Sequence, residues 1–300
     1  MAKLLVVGSV AFDAVKTPFG QRERALGGSA TYFSVSASYF TDVAVIAVVG
    51  EDFDASSQAI FQKHGIDTDG LERRPGKTFF WSGEYGENLN EARTLETELN
   101  VFQDFAPKLP EHYRNTEFLF LANIDPELQR DVMGQVKSPG LVACDTMNYW
   151  IEGKPEALRR TLESVDIVVI NDAEAKQLAG RSNIVAAARD IMAIGPGTIV
   201  VKRGEYGVVM FSGKDCFGLP ALPVENVVDP TGAGDTFAGG FMGYLASCGT
   251  AGQEALRKAV VYGSVMASFN IEAFSQERLS SLTRQDIDSR FREFADMARF

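Results

Sequence analysis

The sequence predicts an α/β fold: a three-layer α/β/α sandwich around a mostly parallel central sheet, with a small β-strand lid. Three observations carry that expectation. Short β-branched runs alternate with helix-like stretches, polar or Gly-containing loops follow several of those runs, and one segment breaks the alternation with two consecutive strands.

The runs are Leu4–Val7, Val43–Val49, Phe118–Leu121, Leu141–Cys144, Ile167–Ile170, Thr198–Val201 and Val208–Phe211. Gly8-Ser9 follows the first, Gly50-Glu51-Asp52 the second and Asn171-Asp172 a later one. Open α/β sheets bind ligands at such strand ends. The break is formed by Lys77–Tyr85 and Arg93–Phe102, joined by Gly86-Glu87-Asn88-Leu89-Asn90. In its second half Leu95, Thr97, Leu99 and Val101 alternate with Glu96, Glu98 and Asn100, the period of a strand with one packed and one wet face. This hairpin reads as a lid over the main sheet, and an edge hairpin with no role in binding fits the same pattern. Toward the C-terminus, Leu256, Ala259, Val260, Met266 and Ala267 give Gly249–Ile271 the apolar spacing of a packed helix, and Arg284–Phe300 reads as a charged surface helix. No repeat or Pro/Ser-rich linker divides the chain, so one domain spanning residues 1–300 is expected.

Composition narrows the class. The 300 residues are 45% hydrophobic and 23% charged, and no apolar run approaches the length of a membrane helix. Met1–Val10 is too short an apolar start for a signal peptide, lacks a small-residue cleavage site and soon meets Asp13, so it reads as a first strand. Cys144, Cys216 and Cys248 are odd in number and widely spaced, which suits a reducing cytoplasm and supports neither a disulfide framework nor a zinc ribbon. A net charge of −11 argues against nucleic acid as a partner. A single nucleotide stays compatible, because backbone amides and a divalent ion can hold its phosphates without a basic surface.

The most informative stretch is Asp229-Pro230-Thr231-Gly232-Ala233-Gly234-Asp235-Thr236-Phe237-Ala238-Gly239-Gly240-Phe241. Pro230 disfavours helix at Asp229, the glycines permit a tight turn, and the small apolar residues after Asp235 suit a buried helix. Gly232, Ala233 and Gly234 would then present amides at a helix start, where the dipole favours an anion. Asp235 at the same place can accept the proton of an attacking hydroxyl, and a Gly-rich turn with Asp as N-cap explains the same residues without chemistry.

The stretch resembles the C-terminal signature of the ribokinase-like (PfkB) family of carbohydrate kinases. The resemblance extends over nearly the whole chain, because Gly8-Ser9 with Asp13, Gly27-Gly28-Ser29-Ala30, Asn171-Asp172-Ala173-Glu174 and Lys202-Arg203-Gly204-Glu205-Tyr206-Gly207 follow in the family's order. It implies a ribokinase-like fold with a lid from about 14–26 and 77–102, and transfer of the ATP γ-phosphoryl group to a hydroxyl. Asp235 matches the catalytic base, and Gly232, Ala233 and Gly234 match the anion hole. Asn171 and Glu174 match the element that positions magnesium and phosphates, Glu174 acting through water. Gly204, Gly207 and Thr231 fall in the nucleotide site, and Asp229 matches a residue of the monovalent-cation site in potassium-activated members. Independently of the family, Asn171 and Glu174 also read as an N-capping pair. Lys202 departs from the Thr of many relatives and reads as a solvated strand end or as a point charge for a phosphate.

On the acceptor side the resemblance gives Asp13 the sugar hydroxyls, and a carboxylate suits a vicinal diol because it accepts from two donors. Gly27 and Gly28 match the pair that lets substrate approach the backbone. Ala11 and the Gly28-Ser29-Ala30-Thr31 segment are less polar than in sugar kinases, so a pentose is disfavoured. Phe12, Tyr32, Phe33, Phe79 and Trp81 are candidates to stack on a base or cover a cyclitol, or simply core. Asn123, Asp145 and Asn148 follow strand ends and rank below Asp13. Gly76-Lys77-Thr78 lacks the glycine spacing of a P-loop, and His64 and His112, the only histidines, read as surface residues. The implied cofactors are ATP and Mg2+, with K+ open, and the implied acceptor is a sugar, cyclitol or nucleoside. No membrane partner is expected, and a homodimer through the lid is. Two alternatives stand beside a sugar kinase: a nucleoside kinase of adenosine or inosine type, and a catalytically silent binding protein.

Overall fold

The computed structural model describes residues 3–299, so Met1, Ala2 and Phe300 lie outside the described residues. Among the described residues thirteen strands form two sheets. They are β1 (Leu4–Val7), β2 (Ala11–Thr17), β3 (Gly20–Gly27), β4 (Val43–Val49), β5 (Asp67–Arg73), β6 (Phe79–Tyr85), β7 (Ala92–Glu98), β8 (Phe118–Leu121), β9 (Leu141–Cys144), β10 (Ile167–Asn171), β11 (Thr198–Lys202), β12 (Val208–Ser212) and β13 (Asp215–Leu219). The helices are α1 (Ser29–Ser38), α2 (Ala55–Lys63), α3 (Pro126–Met133), α4 (Asn148–Gly153), α5 (Pro155–Leu162), α6 (Asp172–Ala179), α7 (Ile184–Met192), α8 (Ala233–Cys248), α9 (Gln253–Asn270) and α10 (Arg284–Met297).

The large sheet runs β13-β12-β11-β10-β9-β8-β1-β4-β5, parallel from β11 to β5 and antiparallel only at β12 and β13. Its central strands are apolar on both faces, and the two-residue period divides them into two cores. Leu4, Val6, Val45, Phe120, Val169 and Val200 pack with α1, α8 and α9 on one side. Leu5, Val7, Ile46, Leu121, Val168 and Ile199 pack with α3, α5 and α7 on the other. A sheet covered on both faces is what near-continuous Val/Ile/Leu runs require. The expected tail helix forms as α10, but it is not purely a surface element: Ile287 and Phe294 are buried in the first core.

The smaller sheet runs β3-β2-β6-β7 and contains the region expected to form a lid. Its last strand is shorter than the sequence suggests. It ends at Glu98, Asn100 takes a positive φ of 50°, and Asn100–Phe102 form a 3-10 turn pinned by the Asn100 amide on the Thr78 carbonyl. The expected packed face of β7 is also open, with Leu95 and Leu99 53% and 44% exposed. His64 departs from the surface reading too: it is half-buried, with Nδ1 3.2 Å from the Ser38 hydroxyl, whereas His112 lies exposed beside Asp69. Among the described residues no helix is long and apolar enough to cross a membrane.

Candidate active site

The C-terminal ends of three neighbouring parallel strands meet the start of α8. Asp145 follows β9, Asn171 closes β10 and Lys202 closes β11; Cys144 stands opposite Val168 and Asn171 opposite Lys202, so the register delivers them to one end of the sheet. Lys202 is not a solvated strand end. Its side chain is 18% exposed and its ammonium lies 3.2 Å from Asp145. A Cβ on Gly234 would stand 2.8 Å from Lys202 Nζ, which puts the ammonium beside the first turn of α8. Burial opposes its charge, but Asp145, Glu174 and Asp235 hold the ammonium above the ordinary lysine range.

Gly232 caps α8 in the left-handed region at φ 73°, where a Cβ would also strike the Tyr32 ring at 2.4 Å, so only glycine fits. Among the described residues no side chain caps this helix. Of the three amides expected to form an anion hole, that of Ala233 is bonded within the turn to the Pro230 carbonyl at 3.1 Å. The Gly234 amide has no protein acceptor among the described residues. Asp235 sits in the same first turn; burial, and then Asp145, push its carboxyl up to about 7, while Lys202 and its own amide pull the other way.

Asn171 and Glu174 form a reciprocal capping box on α6: Asn171 Oδ1 accepts the Glu174 amide at 2.8 Å and Glu174 Oε2 accepts the Asn171 amide at 3.0 Å. The capping reading is therefore realised, and Glu174 Oε1 is left over from the box. Burial, and then Asp145, push Glu174 up to about 7, with Lys202 opposing. Asp145, Glu174 and Asp235 thus share one ammonium. Clustered carboxylate oxygens with surplus negative charge suit a divalent cation, which would be held from Glu174 and its neighbours.

The acceptor-side residues assemble next to this cluster. Gly28 caps α1 at φ 91°, pressed so closely on the Ser9–Ala11 backbone that a Cβ would lie 2.5 Å from the Ser9 carbonyl oxygen. Ser9 and Ser29 lock the two loops, the Ser29 amide donating to Ser9 Oγ at 3.0 Å and the Ser9 amide to Ser29 Oγ at 3.2 Å. Gly27 lies against Asp13, whose carboxylate would overlap any side chain there. Burial, then Asp229 and Asp235, push Asp13 up to about 7, partly offset by the Gly28 amide. Asp229 is buried, and burial raises its carboxyl; its oxygens accept the Thr231 amide at 2.9 Å and the Ser275 amide at 3.3 Å.

Of the aromatic candidates Tyr32 stands among these acids, burial followed by Asp13 and Asp229 holding its phenol well above the usual range, and Trp81 stands opposite Asp13 in the β2–β6 register. Phe33 is core, stacked on Phe120, and Phe79 stacks on Phe102. Phe12 is covered by the Arg24 guanidinium, 3.7 Å from its centroid, and Trp81 lies across Gly83. Asn123 binds the Trp150 indole N–H at 3.0 Å, and Asn148 is exposed. Tyr85 was missed. At the end of β6 its hydroxyl is 3.3 Å from Thr231 Oγ1, and Asp229, Asp13 and Asp235 all contribute, after burial, to a phenol pushed up to about 12. The smaller sheet reaches the site a second time where Asn90 lies against Gly204; Gly204 has φ 54° and opens the 3-10 turn Gly204–Tyr206. Gly207 faces the Leu219 carbonyl rather than open space.

The chain matches the pfkB family of carbohydrate kinases over residues 1–279. It belongs to that family. A PfkB chain is a phosphotransferase with an alcohol group as acceptor, and this one is an ATP-dependent small-molecule kinase. It is 31% identical over 273 residues to a cytidine kinase of Thermococcus kodakarensis, an alignment covering 87% of this chain and 96% of the relative. Among solved structures it is similar to the nucleoside kinase of Methanocaldococcus jannaschii, an archaeal member of the ribokinase family, at TM-score 0.79 and 20% identity, covering 97% of this chain and 98% of that one. The Burkholderia thailandensis nucleoside kinase in complex with inosine gives TM-score 0.78 at 19% identity, with 97% of each chain covered. These likenesses establish the ribokinase-like fold.

Proposed function

We propose that this PfkB chain is a nucleoside kinase acting in the cytoplasm, with Asp235 as the base that takes the proton from the acceptor hydroxyl. The carrying observation is Asp235 itself: a half-buried carboxyl at the first turn of α8, pushed up to about 7 by burial and Asp145 with Lys202 opposing, and itself one of the charges that raise Asp13. A carboxylate of that basicity suits proton abstraction near neutrality. The nucleoside preference rests on the cytidine kinase aligned over nearly its whole length and on Tyr32 beside Asp13. Asp13 accepts from the ribose diol, and Gly27 and Gly28 let the sugar approach.

On the donor side Asn171, Glu174, Lys202, Gly204, Gly207 and Thr231 hold the nucleotide, and the Gly234 amide, which has no protein acceptor among the described residues, faces the transferring group. Magnesium, held from Glu174 through water, neutralises phosphate charge. Asp229 is the residue for a monovalent cation such as potassium. The chain works as one domain with the smaller sheet as lid: Tyr85 on Thr231 and Asn90 on Gly204 tie it to both halves of the site, where it excludes water from the transfer. The open face of β7, with Leu95 and Leu99, supports a homodimer through that sheet. ADP release from Mg-ATP across cytidine, other nucleosides, pentoses, hexoses and inositols tests the acceptor. Release dependent on nucleosides is expected; release with a hexose or inositol alone overturns the nucleoside reading.

A further inference from the structure

The feature that the fold does not require is a carboxylate in the middle of an anion site. Asp145 is buried beside the first turn of α8, where repulsion with phosphate would disfavour it, yet the structure fixes it firmly. Asp145 Oδ1 accepts the Thr146 amide at 2.7 Å. Its main-chain carbonyl accepts the buried Gln129 amide at 3.0 Å, and the same Gln129 nitrogen binds the Leu121 and Ala122 carbonyls, tying the ends of β8 and β9. Asp145 Oδ2 is then directed at Lys202 Nζ, 3.2 Å away.

A lysine ammonium has three N–H donors, and this bond uses one. The Lys202 ammonium makes no other hydrogen bond to the described residues, and its nitrogen borders Gly234. A flexible side chain is thus held with two donors and a full charge next to the amides at the start of α8. We infer that Asp145 and Lys202 form a single device: Lys202 binds the phosphoryl group in flight, and Asp145 is the positioning residue that keeps its ammonium in place. A group aimed at the transferring oxygens stabilises charge as it spreads over them, so its contribution falls on turnover more than on nucleotide affinity. Removal of Asp145 leaves the lysine charged but free to adopt other rotamers.

This role rests on the kinase reading, so wild-type turnover is measured first; its absence over the whole acceptor panel contradicts that reading, and this role with it. In an active enzyme, Lys202→Met is expected to lower kcat by about 10²–10³-fold while directly measured Mg-ATP binding changes by less than about tenfold. Asp145→Asn is expected to lower kcat by less, and the double variant to fall no further than Lys202→Met alone, because its positioning effect passes through the lysine; kcat is compared at about pH 9, where Asp235 is ionised with or without Asp145 beside it. If Lys202→Met does not give a cooperative thermal melt, Lys202→Gln carries the same expectation. A kcat within about threefold of wild type, a loss confined to Mg-ATP affinity, or additive effects in the double variant would each overturn the assignment while leaving the kinase reading intact.

Discussion

At the scale of single residues, the site concentrates carboxyls whose ionisation burial opposes. Asp13 and Asp235 are both pushed from 3.8 to about 7. A base must be ionised to accept a proton, so kcat/KM for the acceptor is expected to rise with pH through about 7 and level above it; a flat profile from pH 5.5 to 8.5 contradicts this. The same shift acts on stability with a definite sign. Between 3.8 and about 7 the folded chain holds a proton on Asp13 that the unfolded chain has released, so the stability this group contributes is lost as pH rises through about 7. Asp13→Asn is therefore expected to raise the melting temperature at pH 8 by a few degrees, with little effect at pH 5, while raising the acceptor KM by about 10- to 100-fold. Most of these residues were legible from sequence because glycine and aspartate in fixed order report backbone geometry. Lys202 was not: whether a lysine at a strand end meets water or a buried carboxylate depends on Asp145, 57 residues away in the chain.

At the scale of elements, legibility follows burial. The central strands carry apolar residues on both faces and begin where the β-branched runs begin, and their ends agree within a residue. The two edge strands of the large sheet, β5 and β13, gave no such signal. An edge strand is covered less, so Asp67–Arg73 and Asp215–Leu219 tolerate Asp, Glu, Arg and Gly and look like loop. The hairpin was legible as strands, but its alternation pointed to packing that one chain does not supply. Tyr85 escaped because an aromatic at a strand end has no distinguishing neighbours in sequence; only the approach of β6 to Thr231 gives it a role. Tyr85→Phe is expected to raise the acceptor KM by about 2- to 10-fold with kcat nearly unchanged, as one hydrogen bond is lost between lid and site. At the other loop, Gly28→Ala places a side chain at φ 91° against the Ser9 carbonyl. Strain of about 1–3 kcal/mol, before any clash, is expected to lower the melting temperature by several degrees. A melt unchanged within error contradicts the close approach described there.

At the scale of the whole molecule, the large sheet supplies rigidity and the strand ends supply chemistry, as in other open α/β folds. Tyr85 at the end of β6 and Asn90 in the loop after it bring the smaller sheet to Thr231 and Gly204, so the proposed closure would involve the whole hairpin. If it also pairs between copies through β7, scattering mass is expected at twice the single-chain value over a wide concentration range; a single-chain mass throughout contradicts the dimer. The most direct test of the central assignment is Asp235→Asn, assayed for acceptor-dependent ADP release beside equilibrium binding of Mg-ATP. The expected result is turnover lowered by about 10²–10⁴-fold with nucleotide binding retained, since the amide keeps the shape but cannot take the proton. Turnover within about threefold of wild type would remove Asp235 from the reaction and contradict the account.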